Sequence, residues 1–130
     1  MPLLAKAVVL FYYGDVMKKI NIVKENREYS RIIQNNKPFK YKDYIIYIDK
    51  RNNDVYKFGF SVGKKVGNAV VRNRVKRQLR SIIDKNAYKN NFECIIIVGK
   101  GILNRSYDEM SLNLNFALRK LNLLKEKNNV

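Results

Sequence analysis

Between residues 56 and 83 the chain carries eight cations, Lys57, Lys64, Lys65, Arg72, Arg74, Lys76, Arg77 and Arg80, and no Asp or Glu. The chemistry open to such a set is capture of a polyanion, because that much like charge on one folded element repels itself unless neutralised. Between positions 72 and 80 four arginines stand against one lysine. Arginine suits forked contact with phosphate. A charge run on a helix is ordinarily a solvated face balanced by acids in i,i+4 pairs, but residues 56–83 hold no acid to balance it. Five groups each neutralising one phosphate predict a log–log salt slope of about −4. The Gly63-Lys64-Lys65-Val66-Gly67 loop opens this helix, where free backbone N–H groups already favour anions. It lacks the GxxxxGK[ST] spacing, so it reads as a strand-to-helix turn rather than a nucleotide site.

The absences are equally informative. There is no His and one Cys, Cys94. An intrachain disulfide, a Cys/His zinc site and a Ser-His-Asp or Cys-His nucleophile are therefore excluded. The eleven carboxylates are scattered, with only Asp108 and Glu109 adjacent. A two-metal nuclease needs several that converge. The formal charge of +16 and pI near 10 point first to nucleic acid and second to an anionic membrane surface. Lys and Asn are abundant throughout, so the clustered arginines carry most of that argument. A chain of 130 residues, 46% hydrophobic, can bury one core as one domain.

Several elements must position these groups. Residues 7–13 form an apolar run too short to span a bilayer. The run lacks the leading charge of a secretory signal. Residues 1–16 read as a poorly ordered extension, with Met17 a natural start. A short helix lies within 20–35: Asn26 is the expected N-cap, Glu28 favours the first turn, and Tyr29, Ile32 and Ile33 share one face. Residues 44–49 (YIIYID) predict a strand with Tyr44, Ile46 and Ile48 on one face and Ile45 and Tyr47 on the other. The polar turn at 51–54 predicts a hairpin to residues 56–62. There Tyr56, Phe58, Phe60 and Val62 face the core, while Lys57, Gly59 and Ser61 form a small, basic face open to a ligand.

Asn68 then caps a helix that runs to about residue 84. Val71, Val75, Leu79 and Ile82 make one apolar stripe. At about 100° per residue from Val71, Arg72, Lys76 and Arg80 fall at about 100°, 140° and 180°, and Arg77 and Arg74 at about 240° and 300°. Residues 92–98 (FECIIIV) suit a central strand covered on both faces or beside a parallel neighbour. Cys94 within it is a small buried hydrophobe. Ser106 with Glu109 predicts a capping box on a last helix of about 18 residues. Its apolar side is Met110, Leu114, Ala117, Leu118, Leu121 and Leu124, with a polar tail at 125–130. The whole reads as one α+β domain with three strands. Tyr44 and Tyr47 point oppositely, so one of them is available to stack single-stranded bases.

The run GFSVGKKVGNAVVRNRVKRQLR closely resembles the most distinctive stretch of the bacterial ribonuclease P protein family. It matches at Gly59, Ser61, Val62, Lys64, Lys65, Gly67, Ala69, Val70, Arg72, Asn73, Arg74, Lys76, Arg77 and Arg80. The resemblance covers about residues 18–124 and leaves out 1–16. It implies a domain over 17–124 with an α-β-β-β-α-β-α sandwich, a ribosomal-protein-like two-layer fold. The implied sheet has about four strands and a left-handed βαβ crossover where the general chirality rule gives a right-handed one. It also implies that catalysis belongs to an RNA subunit. That RNA, with Mg²⁺ held mainly by itself, removes the 5′ leader of precursor tRNA. By this resemblance Arg72, Asn73, Arg74, Lys76, Arg77 and Arg80 dock on the catalytic RNA, and Lys64, Lys65 and Asn68 extend that surface. The 5′ leader is assigned to Tyr29, Ile33, Tyr47, Lys57 and Ser61. Ile33 stands where the family commonly has an aromatic, and Lys57 where it has Arg, which keeps charge but loses the planar fork. The resemblance implies a cytoplasmic protein with no membrane partner, and leaves open a dimer of the holoenzyme. The alternative of another class is a ribosomal or structural RNA-binding protein with no processing role.

Overall fold

The computed structural model describes residues 21–125, so the run at 7–13 and the tail after 125 lie outside the described residues. The elements are α1 (Asn26–Asn35), β1 (Phe39–Tyr41), β2 (Tyr44–Lys50), β3 (Tyr56–Val62), α2 (Ala69–Asp84), β4 (Phe92–Val98), a 3-10 turn (Lys100–Asn104) and α3 (Tyr107–Lys120). This is the expected α-β-β-β-α-β-α order and α+β class.

A strand that is apolar at nearly every position belongs where both faces are covered. β4 takes that place: the sheet order is β1-β2-β4-β3, with β4 antiparallel to β2 and parallel to β3. The expected β2–β3 hairpin is therefore corrected. The polar turn between them carries the chain past β4 instead of pairing its neighbours. Asn91 holds that turn, its N–H donating to the Val55 carbonyl at 2.7 Å while its carbonyl accepts from Arg51 N–H at 2.9 Å. The hairpin that does form joins β1 to β2 through Lys42 and Asp43, with Lys42 in the left-handed region at φ 53°. β1 is the fourth strand, three residues long, too short for alternation to show it in the sequence.

Period-two alternation then sorts the side chains. One face presents Tyr44, Ile46, Phe58, Phe60, Cys94 and Ile96 to Val75, Leu79, Ile82 and Ile83 of α2 and to Leu114 and Leu118 of α3. The opposite face presents Ile95 to Val23 and Ile32, with Tyr29, Ile33, Tyr47 and Ile97 packed around them. Helices thus cover both faces, and the fold has three layers rather than two. The reason is Ile95, fully buried on the second face, where Val23 and, on α1, Ile32 cover it.

Two helix ends differ from expectation. Glu25, not Asn26, occupies the N-cap of α1 and makes no side-chain cap. α3 has the expected Ser106–Glu109 capping box but stops at Lys120. Asn122 turns the chain at φ 62°, Leu123 enters the core and Leu124 bridges to Tyr88. Residues 121 and 124 therefore serve a turn and a bridge, not a longer helix.

Candidate nucleic-acid interface

The geometry of α2 follows from its stripe. Asn68 accepts from Val71 N–H at 3.0 Å and closes the first turn. Val75, Leu79, Ile82 and Ile83 are buried and Val71 half-buried, so the remaining arc is left to charge. Lys64, Lys65, Asn73, Arg74, Arg77 and Arg80 are exposed; Arg72 and Lys76 are half-buried. Arg72 is tethered through Nε to the Gly67 carbonyl at 3.1 Å, which steers its guanidinium toward the loop that carries Lys64 and Lys65.

None of these cations meets a carboxylate among the described residues. Of the nine arginines, Arg27, Arg31, Arg51 and Arg105 lie within ion-pair distance of Asp or Glu. Arg72, Arg74, Arg77, Arg80 and Arg119 have no such pair among the described residues. A helix whose cations lack internal partners keeps its field for an external anion.

The two flanks of α2 look in different directions. The charge of Arg80 reaches Tyr29 on α1, and by helical phase Arg72 and Lys76 share the flank of Arg80. On the other flank Ser81 Oγ lies 2.9 Å from Tyr107 Oη of α3, and Arg74 and Arg77 share that side. Burial raises the Tyr29 phenol above its ordinary value, offset in part by the charge of Arg80.

The α1-side face of the sheet consists of three cross-strand rows: Asp49–Glu93–Lys57, Tyr47–Ile95–Gly59 and Ile45–Ile97–Ser61. Of the residues assigned to the leader, Tyr29, Ile33 and Tyr47 come together over the middle row. Gly59 is not open to a ligand as expected. It is buried, and a Cβ there would lie 2.6 Å from Tyr29 Oη, so Gly59 is what lets Tyr29 settle on the sheet. Lys57 and Ser61 lie at opposite ends of this face, about 13 Å apart at 3.3 Å per residue.

Those two ends differ in chemistry. Beside Ser61 a depression of about 860 Å³ is lined by Lys64, Lys65, Ile97 and Lys100. Beside Lys57, Arg31 donates to Asp49 at 2.8 Å and to Glu93 at 3.1 Å, and Arg51 reaches Asp49 at 3.3 Å. Burial pushes the Asp49 carboxyl up, but hydrogen bonds from Asn36, Arg31 and Arg51 outweigh it and hold the group below its ordinary value. Glu93 is the buried charged residue of this face, 3% exposed. This network anchors α1 over the sheet. Sequence reasoning missed it, and it missed Lys100. A single acid inside FECIIIV is a visible signal, but its partners follow only from strand register.

No group of three or more His, Cys, Asp or Glu able to hold a metal occurs among the described residues. Asp49 and Glu93 are already engaged by arginine, so they do not form a donor set that fits a protein-held Mg²⁺. No helix among the described residues is long and apolar enough to cross a membrane.

A model of the Ribonuclease P family matches residues 17–122. The chain belongs to the ribonuclease P protein family. The ribonuclease P protein component of Mycoplasma mycoides subsp. mycoides SC is 41% identical over 101 residues, 75% of this chain and 93% of that protein. That of Streptococcus pyogenes serotype M5 is 34% identical over 111 residues, 85% of this chain and 93% of that protein. The Staphylococcus aureus RNase P protein structure superposes with TM-score 0.72 at 24% identity, covering 81% of this chain and 98% of that one, a likeness of fold. Membership makes the chain the protein component of a tRNA-processing ribonucleoprotein endoribonuclease. The family implies binding of ribonuclease P RNA and precursor tRNA, and it decides against a structural RNA-binding protein with no processing role.

Proposed function

We propose that this chain binds the catalytic RNA of ribonuclease P and the 5′ leader of precursor tRNA, while the RNA and its Mg²⁺ carry out hydrolysis. The observation that carries this reading is α2, whose cations have no carboxylate partner among the described residues. Arg72, Asn73, Arg74, Lys76, Arg77 and Arg80 meet phosphate of the RNA subunit. Lys64 and Lys65 extend that surface. Asn68 contributes mainly by capping α2, since its side-chain oxygen is engaged. The leader passes over Tyr29, Ile33 and Tyr47 toward Ser61 and the lysine-lined depression. Lys57 supplies charge from the end held by the Arg31 network. Arg80, whose charge reaches Tyr29, borders both surfaces, and Arg72 and Lys76 share its flank by helical phase.

The chemistry the protein supplies is positioning and charge neutralisation. Neutralised phosphates lower the Mg²⁺ concentration that the RNA needs in order to fold and to hold its substrate. The test is reconstitution: the full chain with a bacterial ribonuclease P RNA, at Mg²⁺ too low for the RNA alone. The expected result is restored removal of the 5′ leader from precursor tRNA. No rescue, with the protein folded, would overturn the reading.

A further inference from the structure

A second basic surface lies away from both the Gly63–Gly67 loop and the α1 face. It forms where the C-terminal ends of α2 and α3 meet the bridge between Tyr88 and Leu124. The depression there, about 590 Å³, is lined by Lys85, Arg119 and Lys125 with Asn86 and Asn122, and by no acid among the described residues. Arg119 is the one arginine outside α2 that makes no ion pair among the described residues. Cations at helix C-termini often do no more than answer the helix dipole. That accounts for Lys85 and Arg119. It does not account for Lys125, which lies beyond any helix, nor for the concave floor between them.

The walls are fixed in advance. Asn86 Nδ2 donates to Asn115 Oδ1 at 2.7 Å, and Lys89 Nζ donates to Asn122 Oδ1 at 2.8 Å. Lys125 N–H donates to the Ala87 carbonyl at 3.0 Å, which holds the last cation against the end of α2. Lys85 sits 5.1 Å above the Tyr107 ring and donates to its hydroxyl at 3.2 Å. By helical phase Lys85 falls at about 320°, on the same flank as Arg74 and Arg77. The basin is therefore continuous with the α3-side edge of the helix that meets RNA.

We propose that this basin receives a sugar–phosphate backbone segment of the RNA subunit, so that the RNA footprint runs along α2 from Arg74 past Lys85 and ends between Arg119 and Lys125. The inference rests on the function proposed above. Charge complementarity selects the occupant: three cations with no acid among the described lining residues fit phosphodiester oxygens.

The experiment is salt-dependent binding of the full-length chain to ribonuclease P RNA, comparing wild type with a Lys85→Ala, Arg119→Ala, Lys125→Ala triple variant. Three lost contacts should flatten the log–log salt slope by about 2 to 3 and weaken binding at least tenfold at low salt. The effect should be equal for complexes that receive precursor tRNA or leaderless tRNA. A conservative triple, Lys85→Arg, Arg119→Lys and Lys125→Arg, should keep the slope, and a loss as large as that of the alanine variant would show a structural defect and overturn the proposal. Unchanged slope and affinity in a folded alanine variant also overturn it. Normal RNA-subunit binding with weakened precursor tRNA binding would transfer the phosphate to the tRNA and overturn the assignment to the RNA subunit. If wild type itself fails to bind the RNA, the function proposed above fails; if only an Arg72→Ala, Arg77→Ala variant loses binding, the basin alone fails.

Discussion

Two groups of arginines in this chain have the same side chain and opposite uses. Arg31 joins α1 to β2 and β4 through Asp49 and Glu93, and Arg105 joins the start of α3 to the β1–β2 hairpin through Asp43 at 2.7 Å. Arg72, Arg74, Arg77 and Arg80 lie on one helix, and none of them forms an ion pair among the described residues. The difference comes from where the few carboxylates are. Eleven acids cannot pair 27 cations, and the folded chain places Asp43, Asp49 and Glu93 on or beside the sheet, away from α2. A partly buried arginine between two carboxylates fixes packing. An exposed arginine without one keeps its hydrogen-bonding fork for phosphate. The exposed Arg27–Glu25 pair belongs to neither use and contributes little.

The comparison breaks most visibly at Arg31. Arg31→Met leaves buried Glu93 with Arg51, 3.9 Å away, as its remaining ion-pair partner among the described residues. Removing one partner of a buried pair costs about 3–5 kcal/mol; the half-buried position of Arg31 and the remaining Arg51 put this variant near the low end. Thermal unfolding should show a clear fall in Tm, while the salt slope of RNA binding in the folded fraction stays the same. Arg72→Ala with Arg77→Ala should do the reverse. Tm should hold, RNA-subunit binding should weaken about 10- to 100-fold, and the slope should flatten by about 1.5. An unchanged slope would place these residues in solvent.

Smaller changes sharpen the contrast on the α1 face. Gly59→Ala drives a Cβ against Tyr29 Oη and, at 2.9 Å, against Ile95 Cδ1. Overpacking of this kind costs about 1–3 kcal/mol. It should displace Tyr29, lowering Tm and the affinity for leader-bearing substrate together. Tyr47→Ala should weaken substrates with a 5′ leader by about 1 kcal/mol relative to leaderless tRNA, the low end for a stacked base. Equal effects on both would make Tyr47 a packing residue only.

The smallest effect is on acid stability. Asp49 has a depressed value in the folded chain, so the stability it contributes is full above its unfolded value near 3.8 and is lost as pH falls through the folded value. In an acid titration followed by circular dichroism, Asp49→Asn should lose the part of the stability decline that lies below about pH 4. The decline of the wild type is expected to keep it.

Much of α2 is legible in the amino-acid sequence. Its cap at Asn68, its stripe and its unbalanced cations are local, and helical periodicity reads local spacing directly. The alternation of β3 and the capping box of Ser106 and Glu109 are legible for the same reason. The β2–β3 pairing is not, because a polar turn looks alike whether its flanking strands pair or stand two apart. β1 is too short to show a period. The end of α3 falls earlier than its apolar spacing implies, because Leu121, Leu123 and Leu124 continue an apolar run that only the left-handed Asn122 interrupts.

The site divides along the same line. The chain's own residues pointed to a polyanion as ligand, to α2 as the element that would meet it, and to a sequence with no His and scattered acids, because these follow from residue types and near spacing. Tertiary structure decided what the other cations do. Only with β4 between β2 and β3 do Asp49 and Glu93 become neighbours for Arg31, and only then does α1 bring Tyr29 and Ile33 to Tyr47. Those contacts join residues 14 to 62 positions apart, a distance over which strand order and register decide and sequence periodicity carries no signal.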